Sequence, residues 1–191
     1  VIKDYEGFRS KVYWDSGCAF IGYGTSCNSW EYPNGISREE ADALMREALK
    51  VKEDAVNRFL DRHDIQLTHN QFDALISLTY NLGTVWMKSG TRLYNYLVEG
   101  IGNYTDIQIV NAIGTWCHQG KSVNNMLVKR RLHEAKIFLY GDYDETSPYQ
   151  YRYLTFDAGK GEVENSIVFF DYGSPYGVIQ PADLGGKTFA G

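Results

Sequence analysis

Three helix-start signals constrain the fold of this 191-residue chain more than any other feature. Each is a capping box, in which Ser or Thr precedes Glu or Gln by three residues and both side chains hold the first turn of a helix. The boxes are Ser37-Arg-Glu-Glu40, Thr68-x-x-Gln71 and Thr105-x-x-Gln108. Because an apolar stripe of helical spacing follows each box, we predict three helices there, with two more at about residues 93–100 and 127–141.

The chain before residue 30 follows a different pattern. Ile2, Tyr5 and Phe8 are spaced three apart, which places them on one side of a short helix with Glu6 near its C-terminal end. Residues 12–29 are rich in aromatic and β-branched residues and are interrupted by glycines, which indicates a hairpin or small sheet. The predicted fold class is therefore α+β: an N-terminal helix, a small β-sheet and then a helical bundle.

The composition changes at residue 142. Residues 1–141 hold 16 basic and 16 acidic residues, whereas residues 142–191 hold 3 and 8, so the net charge of −5 lies entirely in the tail. The tail has no helical period and is rich in aromatic residues, and its segments 149–156 and 166–170 are typical of strands. We predict two domains, one over residues 1–141 and a β-rich acidic appendage over residues 142–191.

Composition also excludes several classes of function. The sequence has no basic stripe of the kind that binds nucleic acid. It also has no apolar run long enough for a membrane span. The four histidines lack the convergent spacing of a metal site, and no cofactor is implied. The chain begins at Val1 without a signal peptide, and we interpret it as a fragment of a longer or processed protein.

Three cysteines leave two alternatives open. Cys18 and Cys27 flank the predicted hairpin and can bridge in an oxidising compartment, whereas Cys117 lies far along the chain. The alternative is three reduced, partly buried thiols.

Two carboxylates near the N-terminus are candidates for acid and base chemistry. Glycoside hydrolysis needs an acid that protonates the leaving oxygen and a second group that holds or activates water. Glu6 at a helix end and Asp15 on the following strand can supply both groups. Two acids at this spacing are also common as ordinary surface residues, so the spacing alone does not decide between these readings.

Longer motifs carry a resemblance to a known family. The stretch YEGFRSKVYWD at 5–15, followed by FIGYGT at 20–25, closely resembles the start of the phage-type lysozymes, glycoside hydrolase family 24. Three later blocks resemble the central helix, the next segment and the closing helix of that family, at residues 70–83, 89–100 and 127–141. The resemblance implies a lysozyme-like fold and a muramidase without cofactor that cleaves peptidoglycan, with Glu6 as the acid and Asp15 as the residue that positions water.

The third catalytic member of that family, a Thr, is displaced here. Its position holds Ile21, or Phe20 if the turn is one residue shorter, and neither side chain can hydrogen-bond a water. We predict Thr25, the nearest hydroxyl in the motif, as the substitute.

Further residues are candidates for binding the glycan. We predict substrate contacts at Tyr23, Trp116, His118 and Gln119, with ordinary packing as the alternative. The resemblance also implies that Arg130 or Arg131 is a partner for Glu6, and a surface pair with Glu134 is the alternative.

Two other functions remain open. A lytic transglycosylase would need Glu6 alone, and a catalytically inactive wall-binding or structural module would need neither acid. As a muramidase, the chain would act in the bacterial periplasm or cell wall, either as an endolysin or as an antibacterial effector. The tail would then serve a protein partner such as delivery machinery or an immunity protein.

Overall fold

The computed structural model describes residues 1–156 and 167–173. The helices are α1 (Ile2–Glu6), α2 (Arg38–His63), α3 (His69–Leu82), α4 (Arg92–Val98), α5 (Asp106–Gly114) and α6 (Asn125–Tyr140). The strands are β1 (Arg9–Asp15), β2 (Cys18–Gly22), β3 (Thr25–Ser26), β4 (His118–Gln119), β5 (Ser122–Val123), β6 (Tyr151–Thr155) and β7 (Ile167–Asp171). Short 3₁₀ turns lie at Val85–Met87 and Ile101–Asn103. The predicted α+β class is confirmed.

The chain divides into two compact units. The first comprises Val1–Gln66 and Leu75–Val85, and the second comprises Leu67–Ala74 and the described residues from Trp86 onward. The strands β6 and β7 of the tail belong to the second unit. The predicted domain boundary at residue 142 falls within the second unit, and the two-domain organisation stays a prediction.

The first unit contains an antiparallel sheet in the order β1-β2-β3, with α2 following it. The predicted capping box at the start of α2 is confirmed, because the Ser37 hydroxyl accepts from the Glu40 amide and the Glu40 carboxylate accepts from the Ser37 amide. Ile21 of β2 is fully buried and belongs to a core cluster with Ala41 and Met45 of α2. Burial of one face of the sheet against α2 thus determines which side chains of β2 remain on its other face.

The second unit is built around α5 and α6, and the hairpin of β6 and β7 packs on α5. A Cβ atom added to Gly114 would overlap the ring of Phe169, so only glycine allows this close approach. Asn111 holds the same residue, donating from Nδ2 to the Phe169 carbonyl and accepting from its amide, both at 2.9 Å. The tail strands predicted at 149–156 and 166–170 are therefore present and join the core of this unit.

Two expectations need correction. The helical bundle predicted after the sheet also contains strands, because β4 and β5 form an antiparallel pair around a turn at Gly120. Strands of two residues are too short to leave a periodic signal in the sequence.

The predicted disulfide alternative is also wrong, because Cys18 and Cys27 are free thiols. The Cys27 amide donates to the Ala19 carbonyl, so Cys27 lies opposite Ala19 rather than Cys18. Neighbouring positions of a strand point to opposite faces, which keeps the two sulfurs apart.

No helix within the described ranges is long and apolar enough to cross a bilayer.

Candidate active site

Glu6 lies at the last position of α1, where the chain turns into the sheet. The helix ends after one turn because Gly7 adopts a backbone conformation with φ 66° and ψ 155° that leads directly into β1. The Glu6 carboxylate lies against the backbone of Gly24, since a Cβ atom added to Gly24 would be only 3.1 Å from Glu6 Oε2. Gly24 has φ +81°, so its missing side chain both permits the turn and leaves room for the carboxylate.

Tyr13 on β1 lies close to both predicted catalytic acids. Its hydroxyl oxygen would be 4.0 Å from the same added Cβ of Gly24. Burial, then the negative charges of Glu6 and Asp15, raise the pKa of the Tyr13 phenol, while the Arg9 guanidinium over its ring lowers it. Tyr13 was not among the predicted site residues, although a residue two positions before Asp15 on a strand must share its face.

Asp15 ends β1 and pairs with Cys18 across a two-residue turn. Ser16 and Gly17 form this turn, with φ values of 49° and 83°. Positive φ at both central positions defines the type I′ turn that tight hairpins favour. The Ser16 hydroxyl donates to Asp15 Oδ1 at 3.1 Å, so the turn also supplies a partner for the carboxylate.

The register of the sheet shows which of the candidates for the third catalytic residue, the Thr of the family, lie on the same face as Asp15. Phe20 pairs with Tyr13 and therefore shares the face of Tyr13 and Asp15. Thr25 pairs with Ile21, whose side chain is fully buried. The Thr25 hydroxyl oxygen is shielded from solvent and has no hydrogen-bond partner in the described part of the chain. The structure thus brings Phe20, and not Thr25, to the face of Asp15.

The predicted substrate residue of the first unit, Tyr23, is 6% exposed and belongs to the core cluster. Its ring packs on Phe8 with 5.7 Å between centroids, and its carbonyl accepts from the Tyr80 hydroxyl at 2.8 Å. These contacts give Tyr23 a packing role and leave little of its surface for a ligand.

The other three predicted substrate residues lie in the second unit, around the β4–β5 pair. Trp116 follows α5 and is half-buried. His118 and Gln119 form β4, with His118 Nδ1 3.2 Å from the Thr115 carbonyl and Gln119 Oε1 accepting from Asn124 at 2.9 Å. These contacts are local, and glycan binding by the three residues stays a prediction.

Arg130 and Arg131 of α6 both pair with Glu134. Each arginine Nε lies 3.1 Å from a different oxygen of the Glu134 carboxylate. The predicted alternative, a pair with Glu134, is present. The prediction that this pair lies at the surface is wrong, because all three side chains are buried. Removing one partner would leave an uncompensated charge in the core, so the three residues depend on one another.

The residues that the structure describes contain no group of three or more metal-ligating side chains.

Comparison with known proteins agrees with this arrangement. Residues 3–134 match the family model for phage lysozyme. An endolysin of Bacillus phage B103 is 36% identical over 145 residues, which cover 74% of this chain and 52% of the relative. The chain thus spans about half the length of the Bacillus phage endolysins that it matches.

Solved structures give the same result. The endolysin from Escherichia coli O157:H7 phage FAHEc1 superposes with a TM-score of 0.61 and 30% identity, covering 74% of this chain and 90% of that one. The muramidase domain of SpmX from Asticaccaulis excentricus superposes with a TM-score of 0.58 and 30% identity, covering 72% and 91%.

Proposed function

Because the chain belongs to the phage lysozyme family, we propose that it is a muramidase that lyses peptidoglycan by hydrolysing the β-1,4 bond between N-acetylmuramic acid and N-acetylglucosamine. The observation that carries this proposal is the position of Glu6. Its carboxylate lies at the end of α1, against the backbone of Gly24, and its charge acts on the same tyrosine as the charge of Asp15.

In the proposed mechanism, Glu6 in its protonated form donates to the glycosidic oxygen as the bond to the leaving sugar breaks. Asp15 accepts a hydrogen bond from a water on the opposite face of the sugar and directs it to the anomeric carbon. This division of roles predicts inversion, which needs the two carboxyl groups to lie roughly 6.5 to 9.5 Å apart. Trp116, His118 and Gln119 stay predictions for glycan contacts. Thr25 stays the sequence-based prediction for the assisting hydroxyl, although its pairing with Ile21 places it on the opposite face of the sheet from Asp15.

Lysis of purified peptidoglycan tests the proposal. Glu6→Gln should abolish the fall in turbidity, and Asp15→Asn should reduce it strongly. Glu53→Gln is the matched control, since Glu53 is an exposed carboxylate on α2 in the same unit. Equal, negligible lysis by the wild type and Glu6→Gln would instead identify a catalytically inactive module.

One observation favours the lytic transglycosylase as a second candidate. Phe20, one of the two residues that the resemblance places at the position of the family's catalytic Thr, shares the face of Asp15 and cannot hold a water. A transglycosylase uses the hydroxyl of the sugar itself in place of water. Mass spectrometry of the digest separates the two reactions, because hydrolysis leaves reducing ends and transglycosylation leaves 1,6-anhydro ends.

The cellular role follows from the same proposal. A muramidase acts on the cell wall, and we propose that this one does so as an endolysin or as an antibacterial effector that reaches the periplasm. Delivery machinery or an immunity protein would be the partner of the tail in the second case.

A further inference from the structure

We infer that Ser16 is a positioning residue for Asp15, and that its hydroxyl makes the contact that the side chains of Phe20 and Ile21 cannot make. This inference rests on the proposed function, in which Asp15 orients the attacking water.

The backbone of Ser16 is the first observation. Ser16 has φ 49°, a left-handed conformation that glycine and asparagine adopt readily and serine does not. A type I′ turn favours Asn-Gly or Gly-Gly at its two central positions, whereas this one is Ser-Gly. Backbone strain of this kind clusters at functional sites, where a side chain is needed at a defined place.

The contact made by the side chain is the second observation. The Ser16 hydroxyl donates to Asp15 Oδ1 at 3.1 Å. The pairing of Asp15 with Cys18 fixes the backbone of the aspartate, and the hydroxyl fixes the rotation of its carboxylate. Ser16 occupies one lone pair of Oδ1, and in this inference Oδ2 accepts from the attacking water.

The hydroxyls of the third strand, β3, do not compete for this role. Thr25 lies on the opposite face of the sheet, paired with the buried Ile21. Ser26 pairs with Phe20 and shares the face of Asp15, but it lies on the third strand, about 10 Å from β1 at the usual strand spacing. Ser16, by contrast, hydrogen-bonds Asp15 directly.

Three substitutions at Ser16 separate the role of the hydroxyl from the role of the turn. Ser16→Ala removes the hydroxyl and increases the backbone strain, whereas Ser16→Gly removes the hydroxyl and relieves the strain. Ser16→Asn keeps a hydrogen-bond donor and suits the left-handed conformation. We would measure kcat and KM on a soluble peptidoglycan fragment and the midpoint of thermal unfolding for each variant, with exposed Ser29→Ala as the control.

The inference predicts that kcat falls about tenfold in both Ser16→Ala and Ser16→Gly while KM stays within a factor of two. Thermal stability should move in opposite directions, down in the alanine variant and up in the glycine variant. Ser16→Asn should recover most of kcat. A purely structural role for the turn would leave the glycine variant as active as the wild type.

Two results would overturn the inference while the proposed function stands. One is wild-type kcat in Ser16→Gly. The other is a larger loss of kcat in Thr25→Ala than in either Ser16 variant. If the wild type has no activity, or Glu6→Gln keeps all of it, the proposed function itself fails and the role of Ser16 fails with it.

Discussion

Replacing Gly24 by alanine should reduce activity far more than its effect on stability explains. Gly24 has φ +81°, and the added methyl group would lie 3.1 Å from Glu6 Oε2. The substitution therefore imposes two separate costs, one on the backbone and one on the position of the proposed catalytic acid.

The two costs can be estimated separately. An L-residue other than glycine in the left-handed region costs about 1–2 kcal/mol, which lowers the unfolding midpoint of a chain of this size by roughly 2–8 °C. A contact of 3.1 Å obliges the carboxylate to move by a few tenths of an ångström. Since a misplacement of about 1 Å can cost about 100-fold in rate, this shift should lower kcat about five- to tenfold.

Gly83→Ala provides the matched control. Gly83 also has a positive φ, +70°, but an added Cβ there would have no neighbour within 4 Å. Both variants should lose similar stability in a thermal melt, and only Gly24→Ala should lose kcat in the lysis assay, measured well below both midpoints. Equal activities in the two variants would refute the view that Gly24 leaves room for Glu6.

Three further predictions follow from described contacts. Glu6→Gln should lower the pKa of Tyr13, because the Glu6 charge contributes to raising it. Absorbance titration of the phenol measures this pKa, and an unchanged value would mean that the two side chains lie far apart. Asn111→Ala should lower the free energy of unfolding by about 2–3 kcal/mol in chemical denaturation, because it removes both hydrogen bonds to strand β7. A loss under about 0.5 kcal/mol would contradict the packing of β7 on α5. A thiol reagent at pH 8 should label exposed Cys18 much faster than Cys117, since burial raises the pKa of the Cys117 thiol to about 11, and equal rates would count against that burial.

Much of the fold could be predicted from local signals. The capping boxes mark the starts of α2, α3 and α5, because this signal acts within one helical turn. The tail was harder to interpret. Its change of composition suggests a separate domain. However, the surface that a strand packs against lies elsewhere in the chain, and the sequence around Gly114 does not indicate that the Phe169 ring packs there.

The site divides in the same way. Glu6 and Asp15 could be proposed as catalytic residues from the sequence because their motif and spacing are local. The face on which Thr25 lies could not, because it depends on the strand register, and a shift of one residue moves a side chain to the other face of the sheet. The contribution of Ser16 depends in turn on the conformation of the β1–β2 turn, which is visible only once both φ values are known.

The contact between α5 and β7 also has a consequence for how the chain folds during synthesis. Asn111 and Phe169 are 58 positions apart, so at about 5–20 residues per second the ribosome needs roughly 3–12 s to supply β7 after α5 has been made. During that interval the face of α5 around Gly114 lacks its aromatic cover. Nascent chains interrupted before residue 169 should therefore present this face to chaperones and proteases, and the second unit should complete its folding only after β7 has been synthesised.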